Sequence, residues 1–155
     1  MKQDMYQFTT NALRRAGLMT PLRIVIGVIC MSITPIVWTM QLNPLGPHDL
    51  IPRIIQFVLG ALPSVVGVFW IFGSWPTYRQ SLVFVAWADI SMVIGTSMNT
   101  ATVSRLDGTY HMGLIGVYIA FILGPAVLAI HCAFVLVAII ALSAYSVVVD
   151  HAGWG

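Results

Sequence analysis

The sequence predicts an all-α, polytopic integral membrane protein with about five transmembrane helices in one bundle. Two observations carry that prediction, and a third orients it. The 155 residues are 59% hydrophobic and only 8% charged, with a mean hydropathy of +0.91. A soluble domain carries about 25% charged residues, so this chain cannot cover a water-facing surface. The apolar residues fall into uncharged runs near 20 residues, the length that suits bilayer-spanning helices. The basic residues gather toward the N-terminus, which is an orientation signal.

The same figures exclude several function classes. A net charge of +2 implies no nucleic-acid partner, and the partner the composition does imply is the lipid bilayer. The 155 residues suffice for four to six spans and are expected to leave no room for a soluble catalytic domain. Cys30 and Cys132 both lie in apolar runs, where thiols act as small hydrophobes, so no disulfide or metal role is expected. The first 20 residues lack the apolar core and cleavage site of a secretory signal peptide, so insertion is expected to rely on the first membrane helix.

Taken in order, residues 1–20 form a cytoplasmic or interfacial segment and 21–155 the transmembrane bundle. The first segment mixes Tyr6, Phe8, Leu13 and Leu18 with Lys2, Arg14 and Arg15. It reads either as a short interfacial helix with aromatic residues at the headgroup boundary or as a mobile tail. Pro21 and Arg23 mark the entry into helix 1, about Ile24 to Leu42, where Pro35 predicts a kink. Asn43–Arg53 is a loop with three prolines; its His48 and Asp49 lack the partners that a metal or proton site needs.

Helix 2, Ile54–Gly73, is uncharged and interrupted by Pro63, and Gly60 and Ser64 have the small-xxx-small spacing of close helix packing. Ser74–Gln80 is a tight interface turn with Trp75, Pro76, Tyr78 and Arg79. Helix 3, Ser81–Ala101, contains Asp89. At about 100° per residue, Thr96 and Thr100 fall within roughly 20° of Asp89. With Asn99 beside them they make a supporting polar stripe, opposite Trp87, Ile94 and Met98. That pattern predicts an inward-facing Asp89.

After a loop at Thr102–Met112, holding Arg105, Asp107, Tyr110 and His111, the final apolar run reaches Val149 and is interrupted only by His131. As one helix it would measure roughly 57 Å against a core near 30 Å. Gly124–Pro125 offers the break, giving helix 4 at about Thr109–Leu123 and helix 5 at about Ala126–Val149. Gly116, Ala120 and Gly124 recur at four-residue steps as a packing face for helix 4. With the N-terminus cytoplasmic, Lys2, Arg14, Arg15, Arg23 and Arg79 lie inside and Arg53 and Arg105 outside, as the positive-inside tendency expects. The expected location is the cell (plasma) membrane, multi-pass, with the C-terminus outside.

An intramembrane acid is costly and is a functional-site candidate by default. Asp89 and His131 fall at similar estimated depths, so they are the candidate functional polar pair: to carry a proton, hold a cation or switch helix packing with pH. The competing reading is a polar contact that only fixes helix register. No nucleotide-binding glycine loop, HExxH, CxxC or GxSxG is present, so no enzyme activity, catalytic residue, cofactor or metal is expected. The eight methionines are dispersed and read as packing residues.

The run FGSWPTYRQSLVFVAWADI (Phe72–Ile90), followed by GLIGVYIAFILGPAVLAIH (Gly113–His131), resembles the N-terminal membrane region of actinobacterial GGDEF-type diguanylate cyclases. There a W-P-x-x-R-Q-S turn leads into a helix with an A-D pair. A G-x-Y-x-A-F segment, a tight turn and an apolar helix entered through a histidine follow. Trp75, Pro76, Arg79, Gln80, Ser81, Asp89, Tyr118, Phe121 and His131 match that pattern over about half of the chain. The resemblance implies a membrane sensor or regulatory module, non-catalytic in itself, working as a homodimer or with another membrane or signalling protein. Nothing here resembles the GGDEF catalytic domain, so cyclic-di-GMP synthesis does not carry over. Such regions usually add a sixth helix before a cytoplasmic output domain. An end after helix 5 is expected to mean a truncated piece, a degenerate reading frame or a free-standing relative.

Two other classes compete. A small carrier or channel-like protein would run an aqueous path past Asp89 and His131, but helices 1, 2 and 5 offer few polar residues to line it. A structural subunit of a larger membrane complex is the third.

Overall fold

The computed structural model describes residues 2–44 and 46–152. The regular elements among them are all helical: α1 (Lys2–Arg15), α2 (Met19–Met40), α3 (Leu50–Phe72), α4 (Tyr78–Ser97), α5 (Thr102–Asp107), α6 (Thr109–Ile122) and α7 (Pro125–Ala152). Four of them, α2, α3, α4 and α7, are long and apolar enough to cross a membrane. Their outer faces carry large apolar side chains such as Val28, Val58, Val83 and Leu136, each more than half exposed. Apolar exposure on this scale has no place in water and fits lipid. Residues 153–155, the end of the segment expected to form the transmembrane bundle, lie outside the described residues.

The N-terminal segment is the helix α1. It stops because Gly17 takes φ +71°, a left-handed conformation that glycine adopts without steric cost. Gly17 N–H then bonds Arg14 O and Leu18 N–H bonds Leu13 O, the pattern of a Schellman cap. The chain turns directly into α2, whose first turn accommodates Pro21 because the missing N–H would be unpaired there anyway. That is why α2 starts at Met19 rather than near Ile24. The same holds for α3, which opens at Leu50 and includes Pro52 in its first turn.

Helices α2 and α3 form an antiparallel hairpin whose backbones nearly touch. A methyl added at Gly67 would stand 2.6 Å from Gly27 O, and one at Gly27 would stand 2.8 Å from Gly67 O. Thr34 donates to Gly60 O at 2.6 Å and receives a bond from Ser64 at 2.7 Å, so the Gly60–Ser64 spacing does serve helix packing. Within lipid such packing and hydrogen bonding, rather than hydrophobic burial, hold helices together. Arg23, in the opening turns of α2, donates to Trp70 O and Ile71 O, both at 3.0 Å. These are among the last carbonyls of α3, which have no partner within their own helix.

Helix α4 begins three residues earlier than the sequence reading placed it. Thr77 and Gln80 form a capping box: Gln80 N–H bonds Thr77 Oγ1 at 3.3 Å, and Thr77 N–H bonds Gln80 Oε1 at 2.8 Å. Its end is also earlier, at Ser97, so Asn99 and Thr100 lie beyond the helix. The expected loop at Thr102–Met112 is a correction: it is occupied by α5 and the first turn of α6. Gly108 joins them with right-handed helical dihedrals, φ −57° and ψ −25°, and packs so closely on Thr96 that no side chain would fit. The Gly124–Pro125 break falls where expected. Gly124 takes φ +93°, its N–H bonds back to Ile119 O at 3.0 Å, and Pro125 opens α7.

Candidate functional site

Asp89 lies eleven residues past Tyr78, roughly 17 Å along α4 and near its middle. His131 lies six residues past Pro125, roughly 9 Å along α7. Both are 5% exposed. His131 Nδ1 stands 2.9 Å from Asp89 Oδ2, and His131 Nε2 stands 3.1 Å from the Met112 carbonyl on α6. Gly116, one turn further along α6, gives the ring room: an added methyl would lie 3.4 Å from Nε2. The two residues that the sequence singled out therefore meet, and α6 supplies a third partner that the side-chain sequence could not reveal.

The partners fix the proton count. A carbonyl only accepts, so Nε2 carries hydrogen. If the imidazole is neutral, Nδ1 is then an acceptor and Asp89 must donate to it as a carboxylic acid. If Asp89 is a carboxylate, the ring must be imidazolium. Either way one proton lies between Oδ2 and Nδ1, and the pair is neutral overall. A neutral pair avoids the cost of an isolated charge in a low-dielectric interior. Asp89 Oδ1 has no partner among the described residues.

A second cluster lies at the end where α1 meets the turn before α4. The Tyr6 hydroxyl donates to Pro76 O, accepts from Trp75 Nε1 at 2.8 Å, and lies 3.4 Å from Ser81 Oγ. Ser81 in turn accepts from Tyr118 of α6 at 2.9 Å. Tyr6 and Ser81 are buried. Burial pushes the Tyr6 phenol above its ordinary pKa, against the opposing pull of its bonds to Ser81 and Trp75. Around this cluster Trp70 meets Trp75, Phe84 and Tyr118 edge to face at centroid distances of 5.5–6.2 Å, a favoured geometry for ring quadrupoles. Tyr6 packs with Val85, Ile119, Ile122 and Leu123.

The expected interface turn thus divides. Trp75 and Pro76 bind α1, whereas Arg79 is exposed at the start of α4. The polar stripe divides too. Thr96 is buried but bonds its own helix, at Met92 O and Val93 O. Asn99 is buried, accepts from Gln56 at 3.0 Å and donates to Ser104 O at 3.0 Å. Thr100 is exposed, outside the helix, and donates to Gly46 O. Neither threonine is hydrogen-bonded to Asp89.

Arg105, read as a loop cation, is only 2% exposed. Its guanidinium donates to Asn99 O, Thr100 O and Ser146 Oγ at 2.7–2.9 Å and lies over the Tyr145 ring. It joins the end of α4 to α7, as Arg23 joins α2 to α3. Among the described residues no group of three His, Cys, Asp or Glu side chains could hold a metal ion. No protein-family model matches the chain, no curated protein matches it, and no solved structure matches it.

Proposed function

We propose that this chain is a membrane-embedded sensor or regulatory module, non-catalytic in itself, in which α4 relays a change at the Asp89–His131 pair to the N-terminal helix α1. One observation carries this reading. Helix α4 and its leading turn hold both contacts: Asp89 to α7, and Trp75, Pro76 and Ser81 to Tyr6 of α1. A shift of α4 against α7 therefore alters the seat of α1, the segment best placed to meet a soluble partner or the corresponding segment of a second copy. The likeness to diguanylate-cyclase membrane regions supports the same reading, because its motif residues Trp75, Pro76, Ser81, Asp89, Tyr118 and His131 fall in these two clusters.

The proposed topology has five crossings in the cell membrane, N-terminus inside and C-terminus outside. The fourth crossing is α5 with α6, which through Gly108 runs from Thr102 to Ile122, roughly 31 Å at 1.5 Å per residue. A phosphatase reporter fused at the C-terminus is then active, whereas GFP fluorescence there without phosphatase activity means an even number of crossings. The functional reading is tested with a nitroxide at Phe8→Cys, a 76% exposed position on α1, with Cys30 and Cys132 replaced by serine. Asp89→Leu should increase the label's mobility in lipid nanodiscs. An unchanged spectrum in a folded variant contradicts the relay.

A further inference from the structure

A cavity of about 310 Å³ lies between α2, α3, α4 and α6. This is the lower end of the range for small-molecule sites. Its walls include Val25 and Val117, both more than half exposed, so it opens toward lipid. One end is polar, at Gln56, Asn99 and Ser104, and the other is aliphatic and aromatic, at Leu22, Phe84 and Trp87. No Lys, Arg, Asp or Glu among the described residues lines it.

Gln56 supplies an independent observation. It is 3% exposed and its Nε2 donates to Gly95 O and Asn99 Oδ1, at 3.1 and 3.0 Å. Its Oε1 is buried with no partner among the described residues. A buried carbonyl oxygen without a donor is costly, and a ligand that carries a donor relieves it.

We propose that this cavity binds a single-tailed, uncharged amphiphile, its tail against the aromatic end and a hydroxyl donating to Gln56 Oε1. The occupant follows from the walls. Among the described residues the lining offers a phosphate or carboxylate head no Lys or Arg, and His111 is its one basic side chain. A helix of a second copy, roughly 10 Å across, needs several times this volume. The donor requirement separates an alcohol from a plain alkane. The inference deepens the sensor reading by naming the class of molecule sensed, and rests on that reading only for the consequence of binding.

The test uses the full chain in phosphatidylcholine nanodiscs, with 12-bromododecan-1-ol and 1-bromododecane as quenchers of tryptophan fluorescence. The bromoalcohol should quench saturably, and Trp87→Phe should remove that saturable component. Gln56→Leu should weaken the bromoalcohol roughly 2–10-fold, the range of one net hydrogen bond, and leave the bromoalkane unchanged. Because Gln56 also ties α3 to α4, Ala88→Leu is a second variant. It narrows the cavity with the Gln56 bonds intact and should weaken saturable quenching by both probes. Quenching that never saturates, is unaffected by Ala88→Leu, or is equal for alcohol and alkane overturns the proposal. If the alcohol binds but the α1 label does not respond, the site stands and the sensor reading falls. If nothing binds while Asp89→Leu still frees α1, the reading stands and the site falls.

Discussion

His131 bridges two hydrogen-bond partners on two different helices: Asp89 Oδ2 on α4 at 2.9 Å and the Met112 carbonyl on α6 at 3.1 Å. One ring thus links the α7 helix to both neighbours, and the proton between Nδ1 and Oδ2 belongs to the pair rather than to either residue.

Removing both partners should cost less than the sum of removing each alone. Asp89→Leu or His131→Leu each leaves a buried polar group unpaired, a loss of about 1–3 kcal/mol. The double variant should recover about 0.5–3 kcal/mol against the sum of the two. Thermal melts in detergent measure this cycle, and additivity within about 0.5 kcal/mol would mean that the residues act separately. Asp89→Asn is a milder case. Its amide N–H can donate to Nδ1 of a neutral ring, so it should be less destabilising than Asp89→Leu.

The docking of α1 should weaken in strong alkali. Desolvation raises the Tyr6 pKa in the folded state above the unfolded value. The folded state therefore holds its proton longer, so this contribution is complete below about pH 10 and falls as pH rises through the folded pKa. Tyr6→Phe should remove that alkaline step and cost about 1–3 kcal/mol by orphaning Trp75 Nε1. Melting curves from pH 8 to 12 on both proteins check it, and an alkaline step of undiminished size in Tyr6→Phe contradicts it.

Glycine substitutions should separate by position. Gly67→Ala drives a methyl toward Gly27 O and Met31 and should destabilise by about 1–3 kcal/mol. Gly95→Ala, with nothing within 4 Å of the added carbon, should be neutral or stabilising by up to about 1 kcal/mol. Equal melting temperatures for the two would contradict the close α2–α3 crossing.

Much of this was legible in composition and spacing. Long apolar runs marked α2, α3, α4 and α7, and the rarity of intramembrane ionisable groups marked Asp89 and His131. Boundaries shifted where local chemistry outweighed the apolar pattern: the Thr77–Gln80 box, and prolines tolerated in first turns. Other features depended on partners distant in sequence. Tyr6 looked like an interfacial aromatic because its bonds run to residues about 70 positions away. Arg105 looked like a loop charge because its acceptors are mainly backbone carbonyls, which leave no residue-type signal. Gln56 gave no signal, since only burial reveals its unpaired oxygen. Thr96 lay at the right angle to Asp89 but found its acceptors on its own helix, as threonine often does.

The relay from the buried pair to α1 is tested most directly by hydrogen exchange of the α1 amides in nanodiscs. A 14-residue helix is marginal on its own in water, so its amides are protected only while it stays docked. His131→Leu should speed exchange of residues 5–15 several-fold, whereas Ser32→Ala, whose hydroxyl bonds only its own helix at Ile29 O, should leave it unchanged. Wild-type protection of α1 in a folded His131→Leu protein would contradict the relay.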